Sequence, residues 1–75
     1  MNIIGTGWAV AGSNDQVDMR TVSDTRRAAL VNWLVAGVGI GVFASTTDEQ
    51  IENAWNMMSK KLGTRVIEVN VVEKA

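Results

Sequence analysis

Thr46-Thr47-Asp48-Glu49-Gln50-Ile51-Glu52-Asn53-Ala54-Trp55-Asn56-Met57-Met58-Ser59-Lys60-Lys61-Leu62-Gly63 is the stretch that decides the fold. Every local rule in it points to an α-helix. Thr46 with Glu49, and Thr47 with Gln50, each match a capping box, in which a hydroxyl and a side-chain acceptor satisfy the first free N–H groups reciprocally. Asp48 and Glu49 fall in the first turn and Lys60 and Lys61 in the last, as the helix dipole favours. Ile51, Ala54, Trp55, Met58 and Leu62 recur at helical spacing, so one face is apolar and must be covered. Gly63 ends the helix.

On the C-terminal side, residues 64–72 alternate as a strand does. Ile67, Val69 and Val71 are expected to face inward, with Glu68 and Asn70 outward. On the N-terminal side lies Gly37-Val38-Gly39-Ile40-Gly41-Val42-Phe43, three glycines interleaved with apolar residues. It reads as a buried loop or a short strand, where backbone approaches a neighbour closely. Before it, Thr21 or Ser23 is the expected cap of a first helix, with Asp24 in its first turn. Arg27, Leu30, Val31, Leu34 and Val35 recur at helical spacing, Ala28, Ala29 and Trp33 widen the apolar surface, and Gly37 is the expected C-terminal stop. Further back, Thr6–Ala11 reads as a strand with Thr6, Trp8 and Val10 on one face. Gly12-Ser13-Asn14-Asp15 forms a turn, and residues 16–22 form a second strand, with Val17 and Met19 on one side and Asp18 and Arg20 on the other.

The order β-β-α-α-β implies a small α+β fold in which an antiparallel sheet, the N-terminal hairpin plus the C-terminal strand, packs against two helices on one face. The 75 residues are enough for one domain, 1–75. The composition narrows the chemistry. There is no His, Cys, Tyr or Pro, which removes the imidazole base, the thiolate nucleophile, disulfides and a structural zinc site. The 47% hydrophobic content fits a packed globule, and a net charge of −1 offers no overall field for nucleic acid or an anionic membrane. Ala28–Ala44 carries no charge, and a single membrane span needs about 17–25 apolar residues. This run lies at that lower edge, and a small single-span phage membrane protein using residues 28–44 is the alternative reading. Its glycines, Asn32 and the amphipathic helix that follows count against it.

No catalytic constellation emerges. Gly37-x-Gly39-x-Gly41 lacks the spacing of a dinucleotide loop and the Lys of a phosphate loop, and it follows a helix where those loops precede one. The serines have no His partner, and neighbouring Ser59 and Lys60 point apart. No cofactor is implied, and no enzyme. The candidates that remain are for binding a partner. Arg20, Arg26 and Arg27 form the only basic cluster, and Arg26 and Arg27 oppose the dipole at the start of the first helix. Asp48, Glu49 and Glu52 make an acidic edge, with Glu52 expected on the solvated face. The two patches are expected on different sides of the molecule, an arrangement that would also suit self-association. The structural alternatives are Arg20 or Arg26 paired with Asp18 or Asp24, and Arg27 lying along the core. Trp33 and Trp55 belong to the core. Trp8 serves either the core or an interface.

Arg20-Thr21-Val22-Ser23-Asp24-Thr25-Arg26-Arg27-Ala28-Ala29-Leu30-Val31-Asn32-Trp33-Leu34, Thr46-Thr47-Asp48-Glu49-Gln50-Ile51-Glu52 leading to Trp55, and the closing Val66-Ile67-Glu68-Val69 together resemble short uncharacterised reading frames of bacteriophages and proteobacterial prophages. The likeness covers about two thirds of the chain and carries no catalytic signature. The resemblance implies a soluble α+β protein in a viral setting. Very small proteins there often bind and block a host factor, as anti-CRISPR proteins do. It therefore implies a non-enzymatic protein in the host cytoplasm, acting on a host protein or ribonucleoprotein complex, and weakens the membrane reading, while the net charge of −1 disfavours direct nucleic-acid contact.

Overall fold

The structure is a computed structural model and describes residues 3–72. Strand β1 (Ile3–Ala11) and strand β2 (Val17–Ser23) are followed by helix α1 (Arg26–Asn32), which continues as a π-helical segment (Trp33–Val38). Helix α2 (Asp48–Leu62) and strand β3 (Arg65–Val72) complete the chain. The sheet is antiparallel in the order β2-β1-β3, so the first strand is the central one. The fold is the expected α+β arrangement of hairpin, two helices and closing strand.

The hairpin turns where expected. Gly12 N–H donates to the Gln16 carbonyl at 2.9 Å, and Asp15 takes a positive φ of 62° that an aspartate tolerates. The ladder between β1 and β2 then departs from simple alternation. Trp8 lies opposite Ser23 and Val10 opposite Asp18, so residues 19–22 of β2 bulge outward against Ala9 alone. Thr21 repairs the gap. Its fully buried Oγ1 accepts the Val10 N–H at 2.8 Å and donates to the Asp18 carbonyl at 2.6 Å, standing in for the missing strand partner. The bulge also turns Met19 into solvent, at 76% exposure, and so breaks its expected pairing with Val17.

Because Thr21 and Ser23 are held in the sheet, neither caps α1. Thr25 does so instead, accepting the Ala28 N–H, and Asp24 falls before the helix. Ser23 Oγ accepts from Asn32 Nδ2 at 2.8 Å, which ties the helix to β2. The wider winding after Asn32 rotates the apolar stripe. Ala29, Leu30, Trp33 and Leu34 are buried, whereas Val35 is exposed. The helical path runs past Gly37 to a left-handed stop at Gly39, φ 83°. The segment that follows is a loop and not a strand. Val38 at the end of the π-helical segment and Ile40 and Val42 in the loop pack against the core, and Gly37, Gly39 and Gly41 lie outward, the reverse of the expected buried backbone. Residues 28–44 are therefore not one helix, and among the described residues no helix is long and apolar enough to cross a membrane.

Helix α2 follows its sequence closely. Thr47 and Gln50 form the capping box, while the Thr46 hydroxyl accepts the Phe43 N–H and closes the preceding turn. Ile51 and Trp55 are buried, and Ala54 and Met58 pack beside them. Leu62 lies beyond the core and is 51% exposed. Trp33 and Trp55 meet edge to face, with ring centres 5.0 Å apart and planes at 80°, and join Val10, Leu30, Leu34 and Ile51 in the core.

Ile67 and Val69 are half-buried and Glu68 and Asn70 exposed, as expected, but the side that strand β3 turns to the helices is that of Val66. Val10 pairs with Val66, and both pack towards the helices. Ile67, Val69 and Val71, opposite Ala9, Gly7 and Gly5, therefore lie on the sheet face away from the helices. Apolar alternation marks two faces of a strand but not which one is covered. Here the register with β1 decides.

Candidate functional site

The basic and acidic candidates meet. Arg26 and Arg27 open α1, and Asp48 and Glu52 lie in the first turns of α2. Packing of the two helices sets Arg26 against both carboxylate oxygens of Glu52 and brings Arg27 Nε to 2.5 Å from Asp48 Oδ1. The expectation of two patches on different sides is thus corrected. They form one seam of opposite charges between the helix starts, and Glu52 is half-buried in it and not on a free solvated face. The seam explains two arginines at a helix N-terminus. Their unfavourable position relative to the dipole is offset by carboxylates from the next helix. Arg27 does not lie along the core, and Arg26 pairs with Glu52 in preference to Asp24. Glu49 is exposed beside the seam.

Arg20 stands apart from that pair. Its guanidinium bridges Asp18, at 3.1 and 2.9 Å, and the Ala36 carbonyl near the end of the π-helical segment, at 3.1 Å. A cation there complements the negative end of the helix. The hydrogen bond from Arg20 holds the Asp18 carboxyl below its ordinary value, and Asp18 raises the Arg20 guanidinium in turn. A fourth pair, Arg65 with Asp15 at 2.5 Å, joins the hairpin turn to the start of β3. Trp8 is half-buried on the helix-facing side of the sheet, between Ser23 and Glu68 and outside the main core cluster.

A shallow cleft of about 250 Å³ lies between the hairpin turn and the core, lined by Val10, Asn14, Gln16, Asp18, Trp33 and Thr64 among others. Thr64 Oγ1 is buried there without a hydrogen-bond partner among the described residues. Sequence reasoning did not single out this cleft, because its walls come from segments far apart in the chain. Among the described residues no three carboxylates gather as a metal-ligand group. No protein-family model, curated protein or solved structure matches the chain.

Proposed function

We propose that this chain works by binding another protein, and not by catalysis, as a small phage-type inhibitor of a host factor such as a defence or CRISPR complex in the host cytoplasm. The supporting observation is the way its surface is divided. Asp18, Asp48 and Glu52 each sit against an arginine, so these carboxylates are engaged by neighbours in the same chain. Large apolar side chains stand in solvent instead, above all Met19 and Phe43, the latter 72% exposed. Protein interfaces take their energy from such apolar anchors within a polar rim, and a methionine adapts its shape to the partner. With the arginines neutralised and a net charge of −1, direct nucleic-acid binding has little electrostatic support.

The test is a tagged pull-down from host lysate with mass spectrometry of the eluate, using the unaltered chain, Phe43→Asp and Met19→Asp as baits. A stoichiometric host protein is expected with the unaltered bait. Its recovery is expected to fall at least tenfold with one of the variants while the circular dichroism spectrum is unchanged. A soluble, monodisperse bait that captures no host protein overturns the reading, as does capture that neither substitution weakens.

A further inference from the structure

Both outer strands of the sheet are edges, but β2 is interrupted by its bulge, whereas β3 runs without one. Among the described residues nothing pairs with β3 except β1, and no hydrogen bond reaches its outer edge. In an antiparallel strand, alternate residues direct both N–H and C=O away from the existing neighbour, so this edge offers a row of main-chain donors and acceptors. Natural edge strands are usually short or guarded by Lys, Pro or a bulge. Here Arg65-Val66-Ile67-Glu68-Val69-Asn70-Val71-Val72 extends over 8 residues with no Lys or Pro, and after Arg65 only Glu68 and Asn70 interrupt its apolar run.

The far end of the sheet is thinner still. β2 ends at Ser23, opposite Trp8, so Ile3–Thr6 of β1 pairs with β3 alone. A two-stranded ribbon is marginal in water, yet this one projects with Val71 and Val72 in the open. The radius of gyration is 12.9 Å, against about 11 Å for a compact chain of this length.

We propose that the outer edge of β3 pairs with β3 of a second copy, antiparallel about a two-fold axis at Val69. The register follows from the sequence. A two-fold axis perpendicular to the sheet keeps each residue on its own face, so only residues of like parity can oppose one another. Centring on Glu68 sets two carboxylates face to face, which is unfavourable. Centring on Ile67 or Asn70 pairs fewer residues of the strand. Centring on Val69 places Ile67 opposite Val71 and Val69 opposite itself on the face away from the helices. On the other face it places Glu68 opposite the Asn70 carboxamide, a hydrogen-bond donor, and Val66 opposite Val72. The result is a continuous six-stranded sheet, β2-β1-β3-β3-β1-β2, that closes on itself as isologous contacts do. The interface stands independently of the host-factor reading, whose apolar anchors Met19 and Phe43 lie on other elements.

Single cysteines test it directly, because the chain has none of its own. Sedimentation equilibrium of the unaltered chain at micromolar concentration is expected to give twice the 8.1 kDa chain mass. Under mild oxidation Val69→Cys is expected to form a covalent dimer at least tenfold faster than Asn53→Cys on the exposed side of α2, since opposed antiparallel residues lie within disulfide reach. Val71→Lys, at an exposed position facing Ile67 of the other copy, is expected to shift the chain to monomer with its circular dichroism unchanged. A monomeric unaltered chain overturns the proposal, as does cross-linking at 69 no faster than at 53. So does sedimentation at dimer mass that Val71→Lys leaves intact. A monomer that still captures a host protein refutes the dimer while leaving the proposed function standing.

Discussion

Replacing Thr21 with valine removes one hydroxyl and keeps the side chain's shape, and the structure predicts a large cost. The hydroxyl is fully buried and serves both sides of the bulge, accepting from Val10 N–H and donating to the Asp18 carbonyl. Valine leaves Val10 N–H unpaired in the core, at about 1–3 kcal/mol, and removes a second bond to a half-buried carbonyl, at about 0.5–1.5 kcal/mol. The sum, about 1.5–4.5 kcal/mol, compares with the ~3–5 kcal/mol that a core of this size rarely exceeds. At about 4–8 °C per kcal/mol the melting temperature falls by at least ~6 °C, and the upper half of the range unfolds the chain. Thr21→Ser keeps both hydrogen bonds and loses only a methyl group, at about 0.8 kcal/mol. Urea unfolding followed by circular dichroism ranks the three proteins, with serine expected to be much closer to the unaltered chain than valine. Valine has the higher strand propensity and the more apolar surface, so propensity and burial alone predict the reverse order. Valine as stable as threonine would refute the bridging role of the hydroxyl.

The glycines of β1 should separate in the same assay. A Cβ at Gly7 would lie 2.7 Å from the Ser23 carbonyl oxygen, so Gly7→Ala is expected to cost about 1–3 kcal/mol. Gly5 has open space around its Cβ direction, and Gly5→Ala is expected to be neutral or to stabilise by up to about 1 kcal/mol through the unfolded state. Asp18 gives a pH signature. Its folded carboxyl titrates below the ordinary value because of Arg20, so its contribution is complete above the unfolded value of about 3.9 and is lost as pH falls through the folded one. Asp18→Asn should flatten that acid limb of stability against pH, and an unchanged limb would count against the pair. At the helix seam, Arg27→Glu sets like charges against Asp48. Because the pair is exposed, the loss is expected to be about 0.2–1 kcal/mol and to shrink in high salt, with Asp48→Arg in the same chain restoring it.

How far the sequence could be read depended on where each signal acts. Helix α2 was legible from cap to Gly63 because its hydroxyls, charges and apolar stripe are all used within the helix. The start of α1 was not. Thr21 and Ser23 are competent caps by type, but their hydroxyls are taken by Val10, Asp18 and Asn32, partners that exist only once the sheet and helix meet. The orientation of β3 depended on its register with a strand at the other end of the chain. Leu62 continues a correct periodicity beyond the last residue it could pack against. The charged candidates were visible as residue types, but Arg27 and Asp48 are 21 positions apart, and only helix packing shows that they satisfy each other. The sheet edge was the least visible, since an edge is defined by the absence of a neighbour.

The order of the strands also bears on how the chain reaches this state. β1 meets β2 through a short turn, a contact that forms on the microsecond scale of hairpins. Its other side waits for β3, with both helices lying between Ala11 and Arg65 in sequence. Closing so long a loop is an entropic step that local structure cannot shorten, so refolding should be slow for a chain of this size and its rate-limiting barrier should contain the β1–β3 closure. Until that closure, the central strand is itself an open edge, and it offers the partly folded chain a template that the folded one has covered. High concentration during refolding is therefore the condition under which this chain should mispair.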